Sequence, residues 1–321
     1  MNNKKIGLFF GGKITGHLVL VRRAAKKLGV DLELISYNRV CFDTESGKVM
    51  IRGNGDNINV KKSVDEYNVL FFRTTGKHWE EVDLIVNQVK SSSSYKVGEK
   101  PIIIDPIVEW GKPSYACKAY QMLALKETGI DVPKSIYGSL WYLYEQMRTD
   151  VGRPYSWPVI IKGSGGDRGT RVFKADNLEE LEKLVRDLRK TETDEGKRYM
   201  LQEYIPNDGD YRVIVLGDRV LGVMKRSSQS VEEFRNNYSA GGKVEIADLP
   251  DEIKALAVKA AKVCGLAVAG VDVAFRDFDK TKPVIWEVNK GPQFKGFMAA
   301  TGIDVPKEIV KFLVSQSGLI N

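Results

Sequence analysis

The sequence predicts a mixed α/β and α+β protein, with a small parallel sheet first and antiparallel strands later. Three observations support this fold class. The first 110 residues alternate apolar strands with amphipathic helices, which is the rhythm of βαβ units. The last third has apolar strands separated by tight turns such as LGDR, which is typical of antiparallel pairing. A length of 321 residues suits two or three compact domains.

The N-terminal unit, residues 1–110, is expected to be a Rossmann-like parallel α/β domain. Its predicted strands are KKIGLFF, LELISY, NVLFFRT and KPIIIDP, and its predicted helices are HLVLVRRAAKKLG and HWEEVDLIVNQVKSS. The first strand resembles a signal peptide only weakly, because it lacks a small-residue cleavage site. Gly11, Gly12 and Gly16 follow it without the G-x-G-x-x-G spacing, so we do not interpret them as a dinucleotide fingerprint.

The remaining chain predicts two more units, which we place at 111–198 and 199–321. The first contains three helices, SYACKAYQMLALKETG, LWYLYEQMRTDVG and DNLEELEKLVRDLRKTE, and the strands WPVIIKG and TRVFKA. The second contains the strands RYMLQEYI, DYRVIVLG, DRVLGVMKRSS, VAGVDVAFRD and KPVIWEVNKG, with the helices DEIKALAVKAAKVCG and IDVPKEIVKFLVSQ. Leucines at helical spacing and glycines after the helices set these assignments.

Composition restricts the chemistry. The three cysteines are scattered and only two histidines are present, so we expect a reducing, cytoplasmic compartment and no zinc site. Any divalent cation would be held by carboxylates and amides, which favours Mg²⁺. No apolar run reaches the length of a membrane helix. The net charge of +7 suits an anionic partner, or else it is an ordinary solvated basic surface.

A candidate metal site lies near the C-terminus. Asp272 sits in the apolar strand VAGVDVAF, and Glu287 and Asn289 alternate onto one face of VIWEVNKG. Such polar groups are costly in a buried strand unless a cation or hydrogen bonds satisfy them. They predict Mg²⁺ held together with phosphates, or alternatively a structural pair that closes a hairpin.

Two further patterns point to phosphate. Lys162 ends a β-branched strand and leads into a glycine-rich loop, whose backbone N–H groups could cover phosphates or simply be flexible. Arg226 and Arg235 offer guanidinium groups that match phosphate bidentately, although a surface arginine is the plainer interpretation of Arg235. Between these patterns, QEYIPNDGDYRV offers an extended segment for an adenine edge and a carboxylate for ribose hydroxyls.

These pieces, in this order, resemble the ATP-grasp superfamily, and within it the RimK-type amino-acid (glutamate) ligases, which add glutamates to the C-terminus of a ribosomal protein. The resemblance runs from about Ser114 to Val314. It rests on CKAYQMLALKETGIDVPKS, VIIKGSGGDRGTRV, LQEYIPNDGDYRVIVLGDRVLGVMKR, EFRNNYSAGG, AGVDVAF, WEVNKGP and TGIDVPKEIVKFL. It implies an ATP-grasp fold, in which two α+β lobes grip ATP, preceded by the small α/β domain.

The resemblance also implies a role for each matching position. Lys118 and Lys162 would hold the ATP phosphates, and Arg226 would touch the transferred phosphate and the acyl-phosphate. The loop 163–169 would be a mobile lid, with contacts from Ser164, Gly165, Gly166 and Gly169. The other implied nucleotide contacts are Glu203, Tyr204 and Ile205 against adenine, Asp210 on ribose, and Arg235, Asn236 and Asn237. The implied magnesium ligands are Asp272, Glu287 and Asn289.

One departure from the family pattern concerns the substrate. The family commonly has N-x-S-P-G after the metal-binding acid, whereas this chain has Asn289-Lys290-Gly291-Pro292-Gln293. Lys290 and Gln293 are therefore expected to lie beside the acceptor and to select a substrate other than that of the best-known members.

The function that the resemblance implies is an ATP-dependent carboxylate–amine ligase that works through an acyl-phosphate. ATP and two Mg²⁺ ions are the expected cofactors, with Mn²⁺ as a substitute. The expected partners are carboxylate and amine substrates on a peptide, amino acid or cofactor, without membrane or nucleic acid; a homo-oligomer is left open. The alternatives are an ATP-grasp kinase that stops after phosphorylation, and a binding module for nucleotide or nucleic acid without catalysis.

Overall fold

The computed structural model describes residues 5–53, 61–91, 95, 100–111, 117–149, 151–164, 171–195, 198–227, 243–316 and 318. The strands in these ranges are β1 (Lys5–Phe10), β2 (Asp31–Ser36), β3 (Val40–Asp43), β4 (Lys48–Arg52), β5 (Lys61–Ser63), β6 (Val69–Thr74), β7 (Ile102–Ile104), β8 (Ser135–Gly138), β9 (Val159–Gly163), β10 (Val172–Ala175), β11 (Tyr199–Glu203), β12 (Asp210–Leu216), β13 (Arg219–Ser227), β14 (Lys243–Ala247), β15 (Val268–Phe275) and β16 (Pro283–Lys290). The α-helices are α1 (Gly16–Lys27), α2 (Trp79–Ser91), α3 (Lys118–Glu127), α4 (Leu140–Arg148), α5 (Leu178–Glu195), α6 (Asp251–Val263), α7 (Lys295–Thr301) and α8 (Val305–Gln316).

The N-terminal sheet has the predicted parallel arrangement, in the order β2-β1-β6-β7. Strands β1 and β6 are buried along almost their whole length, as expected for central strands covered on both faces. Helix α1 packs against α8 and β2, while α2 packs near β3 and β4. The predicted strands and helices of this region are therefore confirmed.

A small antiparallel sheet, in the order β3-β4-β5, was not expected. Its strands are short, and their polar and apolar residues do not alternate over a length that predicts a strand. Tertiary contact stabilises them, because Val49 and Ile51 are buried in the same cluster as side chains of α2. Gly47, with φ of +66°, makes the turn between β3 and β4.

The central sheet is antiparallel, in the order β10-β9-β11-β8. Its core combines Ile161 of β9 with Leu143 of α4 and Leu181 of α5, all fully buried. Strands β9 and β10 flank the glycine-rich segment, with Lys162 opposite Val172, and residues 165–170 between them lie outside the described residues.

The C-terminal sheet is also antiparallel, in the order β14-β13-β12-β15-β16, with α6 on it. The antiparallel pairing predicted here is confirmed, whereas β14 and α7 were missed. Helix α7 has seven residues, too few for a helical period to show in the sequence.

The pairing of strands into sheets indicates where one domain ends and the next begins. β11 follows directly after the expected boundary at 198–199, yet it pairs with β8 and β9 of the central sheet. We therefore propose the three units of the sequence analysis, with the second boundary placed after Glu203 so that the central sheet stays intact. Within the described residues, no helix has the length and apolar character needed to cross a membrane.

Candidate active site

The three expected metal ligands meet on neighbouring strands. Antiparallel pairing places Asp272 of β15 directly opposite Glu287 of β16, and Gly270 opposite Asn289. The amide Nδ2 of Asn289 donates to Oδ2 of Asp272 over 3.2 Å. The strand register thus brings two carboxylates and one amide into a single group.

Asp272 is surrounded by cations from β12 and β13. Arg212 lies opposite it in the sheet and donates bidentately, from Nε to Oδ1 over 2.8 Å and from Nη2 to Oδ2 over 2.7 Å. Nη2 of Arg226 is 3.0 Å from the same Oδ2. Burial alone would raise the pKa of the Asp272 carboxyl, but the two guanidinium groups outweigh it and hold that pKa at about 2.

A second buried carboxylate supports Arg226. Asp210 lies opposite Arg226 in the β12–β13 hairpin and accepts from its Nε over 3.1 Å and, more closely, from its Nη2. Burial raises the pKa of the Asp210 carboxyl, with Arg226 opposing and Asp272 adding to the rise. Asp210 is only 1% exposed and is paired with the Arg226 guanidinium, while its expected contact with ribose stays a prediction. Its contacts are those of a residue that positions Arg226.

The two expected phosphate-binding lysines converge on Glu287. Lys118 is the first residue of α3, and its Nζ lies 2.7 Å from Oε1 of Glu287. Burial opposes ionisation of Glu287, yet Lys118 keeps the pKa of this carboxyl below its ordinary value. Burial lowers the pKa of the Lys162 ammonium to about 8, with Glu287 acting in the opposite direction. Glu287 is therefore approached by Lys162 from β9 of the central sheet and by Lys118 from α3, which packs against α6 and β16.

A small cleft lies between these lysines and the C-terminal sheet. Its walls combine charged and apolar side chains, namely Lys118, Gln121, Met122, Lys162, Met200, Trp286 and Glu287. These walls place apolar side chains directly beside two cations.

The expected adenine segment follows β11. Glu203 exchanges two hydrogen bonds with Lys134: its N–H donates to the carbonyl over 3.0 Å, and its Oε1 accepts from the N–H over 2.8 Å. Nη1 of Arg276 donates to that Oε1 over 2.8 Å, and the same guanidinium pairs with Asp131. These contacts fix the backbone that leads into Tyr204 and Ile205. Ile205 is buried, and the ring of Tyr204 lies 5.6 Å from Nζ of Lys174.

Of the other residues expected to contact nucleotide or substrate, the structure describes only some. Ser164 joins β9 to Arg198, donating from its N–H to the carbonyl over 2.7 Å. Gly165, Gly166, Gly169, Arg235, Asn236 and Asn237 lie outside the described residues. Gln293 is exposed, whereas Nζ of Lys290 is buried toward the N-terminal sheet. Burial lowers the pKa of Lys290 to about 8, and the buried Asp105 opposes this shift.

Sequence reasoning missed Arg212, Arg276 and Asp131. A signal for Arg212 was present in the sequence. It lies on the mostly apolar strand β12, and alternation places it on the same face as Asp210, two residues earlier. The same kind of pattern, an arginine on a mostly apolar strand, drew attention to Arg226 on β13. Arg276 and Asp131 are 145 positions apart, and only tertiary structure brings them together.

The donor set fits magnesium. Carboxylate and amide oxygens are hard ligands of the kind Mg²⁺ prefers. Within the described ranges, no group of three or more His, Cys, Asp or Glu side chains is arranged to hold a metal. Two carboxylates and an amide would leave the other positions to phosphate and water oxygens, which is usual for this ion.

Comparison with known proteins identifies the family. The model of the RimK-like ATP-grasp domain matches residues 115–313. A probable alpha-L-glutamate ligase of Syntrophotalea carbinolica is 30% identical over 232 residues, which cover 71% of this chain and 70% of the relative. Probable alpha-L-glutamate ligase 2 of Pseudoalteromonas atlantica is 25% identical over 299 residues, covering 92% and 91%.

A solved structure agrees with this result at the level of the fold. The ATP-grasp ligase PsnB, complexed with a minimal precursor, has a TM-score of 0.68 at 17% identity and covers 98% of this chain and 99% of its own. The predicted family, ATP-grasp fold and enzyme class are confirmed, and ATP and magnesium are typical of the family. This chain belongs to the RimK-like ATP-grasp family and is an ATP-dependent carboxylate–amine ligase.

Proposed function

We propose that the chain activates a substrate carboxylate as an acyl-phosphate and joins it to an amine. A carboxylate oxygen attacks the γ-phosphorus of ATP and ADP leaves. The amine nitrogen then attacks the acyl carbon, phosphate leaves and the nitrogen loses a proton, which gives the amide. The observation that carries this proposal is the convergence of Lys118, Lys162 and Arg226 on the group formed by Asp272, Glu287 and Asn289.

The side chains present account for charge neutralisation, which is the main requirement of phosphoryl transfer. Lys118 and Lys162 line the cleft and would hold the phosphates of ATP. Arg226 stays charged and oriented by Asp210, so its guanidinium can meet negative charge that develops on the transferred phosphoryl group. Asp272, Glu287 and Asn289 would hold magnesium, which when bound polarises phosphoryl oxygens.

Positioning and exclusion of water complete the proposed mechanism. The segment from Glu203 to Ile205 would face adenine, and the fixed backbone at Glu203 supports this role. We propose loop 163–169 as the lid that closes over the phosphates, with Ser164, Gly165, Gly166 and Gly169 in contact with them. Closure of this kind would protect the acyl-phosphate from hydrolysis.

The proposed amino-acid substrate is glutamate, because the relatives at 25–30% identity are probable alpha-L-glutamate ligases. The second substrate is a peptide, amino acid or cofactor. The sequence Asn289-Lys290-Gly291-Pro292-Gln293 departs from the family pattern, and we propose that it selects a substrate other than that of the best-known members.

Phosphate release from the purified protein tests this function. ATP and Mg²⁺ would be combined with amino acids, acidic peptides and cofactors, and the products weighed by mass spectrometry. A ligase joins two substrates with loss of one water, whereas the kinase alternative adds only phosphate. Absence of ATP binding would refute both functions.

Glu287→Gln tests the metal assignment. The amide is isosteric but uncharged, so turnover should be abolished while the fold and much of the nucleotide affinity remain. Glu245→Gln is the matched control, because Glu245 is a half-exposed residue of β14 in the same sheet. Full turnover in Glu287→Gln would contradict the assignment.

A further inference from the structure

A cluster of charged side chains lies at the carboxyl edge of the N-terminal sheet, apart from the acidic group described above. Strands β1, β6 and β7 all end there: Arg73 and Thr74 are the last two residues of β6, and Gly11, Thr75 and Asp105 come directly after the three strands. The chain runs from β1 outward to β2, and β6 returns on the other side of β1. The crevice between β1 and β6 is thus a topological switch point, where open α/β sheets commonly bind ligands.

Arg73 is the centre of this cluster. It is 96% buried, since its relative exposure is 4%. Nη2 donates to the carbonyl of Pro292 over 2.9 Å, and the guanidinium carbon lies 5.1 Å from the ring centroid of Phe294. Nη1 is buried with no hydrogen-bond partner among the described residues. A buried donor of a charged group is costly to leave unsatisfied, so Nη1 has a hydrogen bond still to make. Oδ2 of Asp105, whose charge acts on Arg73, is likewise buried with no hydrogen-bond partner among the described residues.

His17 and Lys295 extend the cluster toward α1. The ring of His17 packs edge-on against Phe294 at 4.6 Å, and its Nδ1 is buried without a described hydrogen-bond partner. Arg73 and Lys295 both act on the His17 ring, and with burial they lower its pKa to about 4, so it is neutral near pH 7. A Cβ built on Gly16 would lie 2.7 Å from Nζ of Lys295, which places this ammonium at the first residue of α1.

That position is electrostatically unfavourable for a lysine in the absence of an anion. The N-terminus of a helix carries partial positive charge and attracts anions. Helix α1 has no acidic residue in its first turn, and the side chain of its N-cap residue, Thr15, makes no capping hydrogen bond. Lys295 thus adds a cation where the helix already presents unsatisfied N–H groups.

The buried carboxylate of the cluster does not balance these charges. Asp105 is fully buried, and its Oδ1 accepts from the N–H groups of Ala267 and Val268 over 2.8 and 2.9 Å. It faces both Lys290 and Arg73. Among the described residues, this carboxylate faces two buried cations, Arg73 and Lys290, while Lys295 adds an exposed ammonium at the start of α1. A bound anion would offset positive charge of this kind.

We propose that this cluster binds a carboxylate of one of the two ligation substrates, with Arg73 and Lys295 as its cationic contacts and His17 Nδ1 as a neutral polar contact. The inference rests on the proposed ligase function, since it names a site for one of its substrates. A planar guanidinium matches a carboxylate bidentately. The phosphates of ATP already have Lys118 and Lys162 in the cleft, so the anion at this edge is a substrate carboxylate.

The position of the cluster connects it to the acidic group. Lys290 directly follows Asn289 at the end of β16, and the segment from Gly291 to Lys295 contacts both Arg73 and α1. Gly291 has φ of +58°, and a Cβ there would lie 2.5 Å from the carbonyl oxygen of Arg73. This close approach of backbone leads the chain from the proposed metal ligands to the cluster. A substrate held here would lie beside the strand that carries those ligands.

Binding measured without turnover tests the proposal. The probes are L-glutamate and the dipeptide N-acetyl-Glu-Glu, each beside its fully amidated counterpart, together with inorganic phosphate. Calorimetric titration is done on the full chain saturated with ADP and Mg²⁺. Arg73→Gln removes the guanidinium, Lys295→Gln the exposed ammonium, and Lys307→Gln is a control with an exposed lysine on α8.

The expected result is that at least one carboxylate probe binds and its amidated form does not. Arg73→Gln should weaken that binding by about ten- to hundred-fold, the worth of a charge-assisted hydrogen bond. Lys295→Gln should weaken it by roughly three-fold, as for an exposed charge. Lys307→Gln should leave it unchanged, and all three variants should keep the wild-type affinity for ADP. If Arg73→Gln does not fold, Arg73→Lys and Lys295→Gln take its place.

Three outcomes would overturn the proposal: no carboxylate probe binds the wild-type chain, the variants bind it as the wild type does, or phosphate binds here in preference. The same experiments distinguish a failure of this site from a failure of the proposed ligase function. If Arg73-dependent carboxylate binding is present but no substrate pair releases phosphate from ATP, the site stands and the ligation proposal does not.

Discussion

Arg212 offers the sharpest test of how the site is held together. Its guanidinium makes two hydrogen bonds of 2.7 and 2.8 Å to Asp272, with side-chain exposures of 14% for Arg212 and 6% for Asp272. Replacing Arg212 by methionine keeps much of the volume and removes the charge. Loss of one partner from a buried ion pair costs about 3–5 kcal/mol, because the other charge is left uncompensated. Arg226 remains 3.0 Å from Asp272, so we expect the lower end, about 3 kcal/mol.

Urea unfolding followed by circular dichroism measures this change in the free energy of unfolding. The matched control is Arg219→Met in the same hairpin, where the guanidinium is 53% exposed and pairs with Glu308. An exposed pair contributes about 0–1 kcal/mol. The expected contrast is therefore roughly 2 kcal/mol or more between the two variants.

The pH dependence gives this prediction a sign. Wild-type Asp272 has its pKa lowered to about 2, so its ionisation stabilises the fold above pH 4 and this contribution is lost as the pH falls toward 2. Without Arg212 the folded-state pKa of Asp272 rises. The deficit of Arg212→Met should then be full at pH 7 and shrink below about pH 4. Equal losses in Arg212→Met and Arg219→Met at pH 7 would refute the reasoning.

Three other predictions follow from the same contacts. Lys162 has its pKa lowered to about 8, so at pH 8.5 about three-quarters of it is neutral, and ATP binding should take up at most about three-quarters of a proton. Calorimetry in buffers of different ionisation heat measures this uptake, and Lys162→Met should abolish it. Gly209 has φ of +129°, and a Cβ there would lie 2.3 Å from the carbonyl oxygen of Arg226. Gly209→Ala should therefore lower the free energy of unfolding by more than the roughly 1–3 kcal/mol that backbone strain alone costs, whereas Gly47→Ala, with open space around it, should lower it only by that strain. Burial raises the pKa of Asp105 to about 6, so its ionisation opposes folding as the pH rises from 4 through 6; Asp105→Asn should therefore gain stability relative to the wild type over that range in urea titrations.

The elements that the sequence predicted are those whose local pattern agrees with their tertiary surroundings. β15 reads VAGVDVAF and is buried along its whole length, so its apolar run identified a strand and left Asp272 as an anomaly that needed a partner. Alternation placed Glu287 and Asn289 on one face of β16, and the structure brings them to Asp272 through the strand register. The proximity of Asp272, Glu287 and Asn289 could be predicted because the periodicity of a strand is local and regular.

Other features depend on contacts between distant positions. β3, β4 and β5 are too short for a period to be visible, and they are stabilised by packing near α2. Arg73 ends the apolar run of β6, which marks it as unusual, but its acceptor, the carbonyl of Pro292, is 219 positions away and no local pattern identifies it. The same holds for Arg276, whose role depends on its contacts with Asp131 and Glu203.

The cations at the cleft explain how the buried carboxylates are tolerated in the folded protein before nucleotide binds. Three carboxylates meet four cations among the side chains described there, namely Asp210, Asp272 and Glu287 against Lys118, Lys162, Arg212 and Arg226. Asp210 and Asp272 are buried, and without these cations their desolvation would be costly. On the proposed mechanism, Lys118 would exchange Glu287 for a phosphate, and Glu287 would then be one of the residues that hold magnesium. Glu287 is then neutralised in both states, and Arg212, which stays on Asp272, supports the site through the exchange.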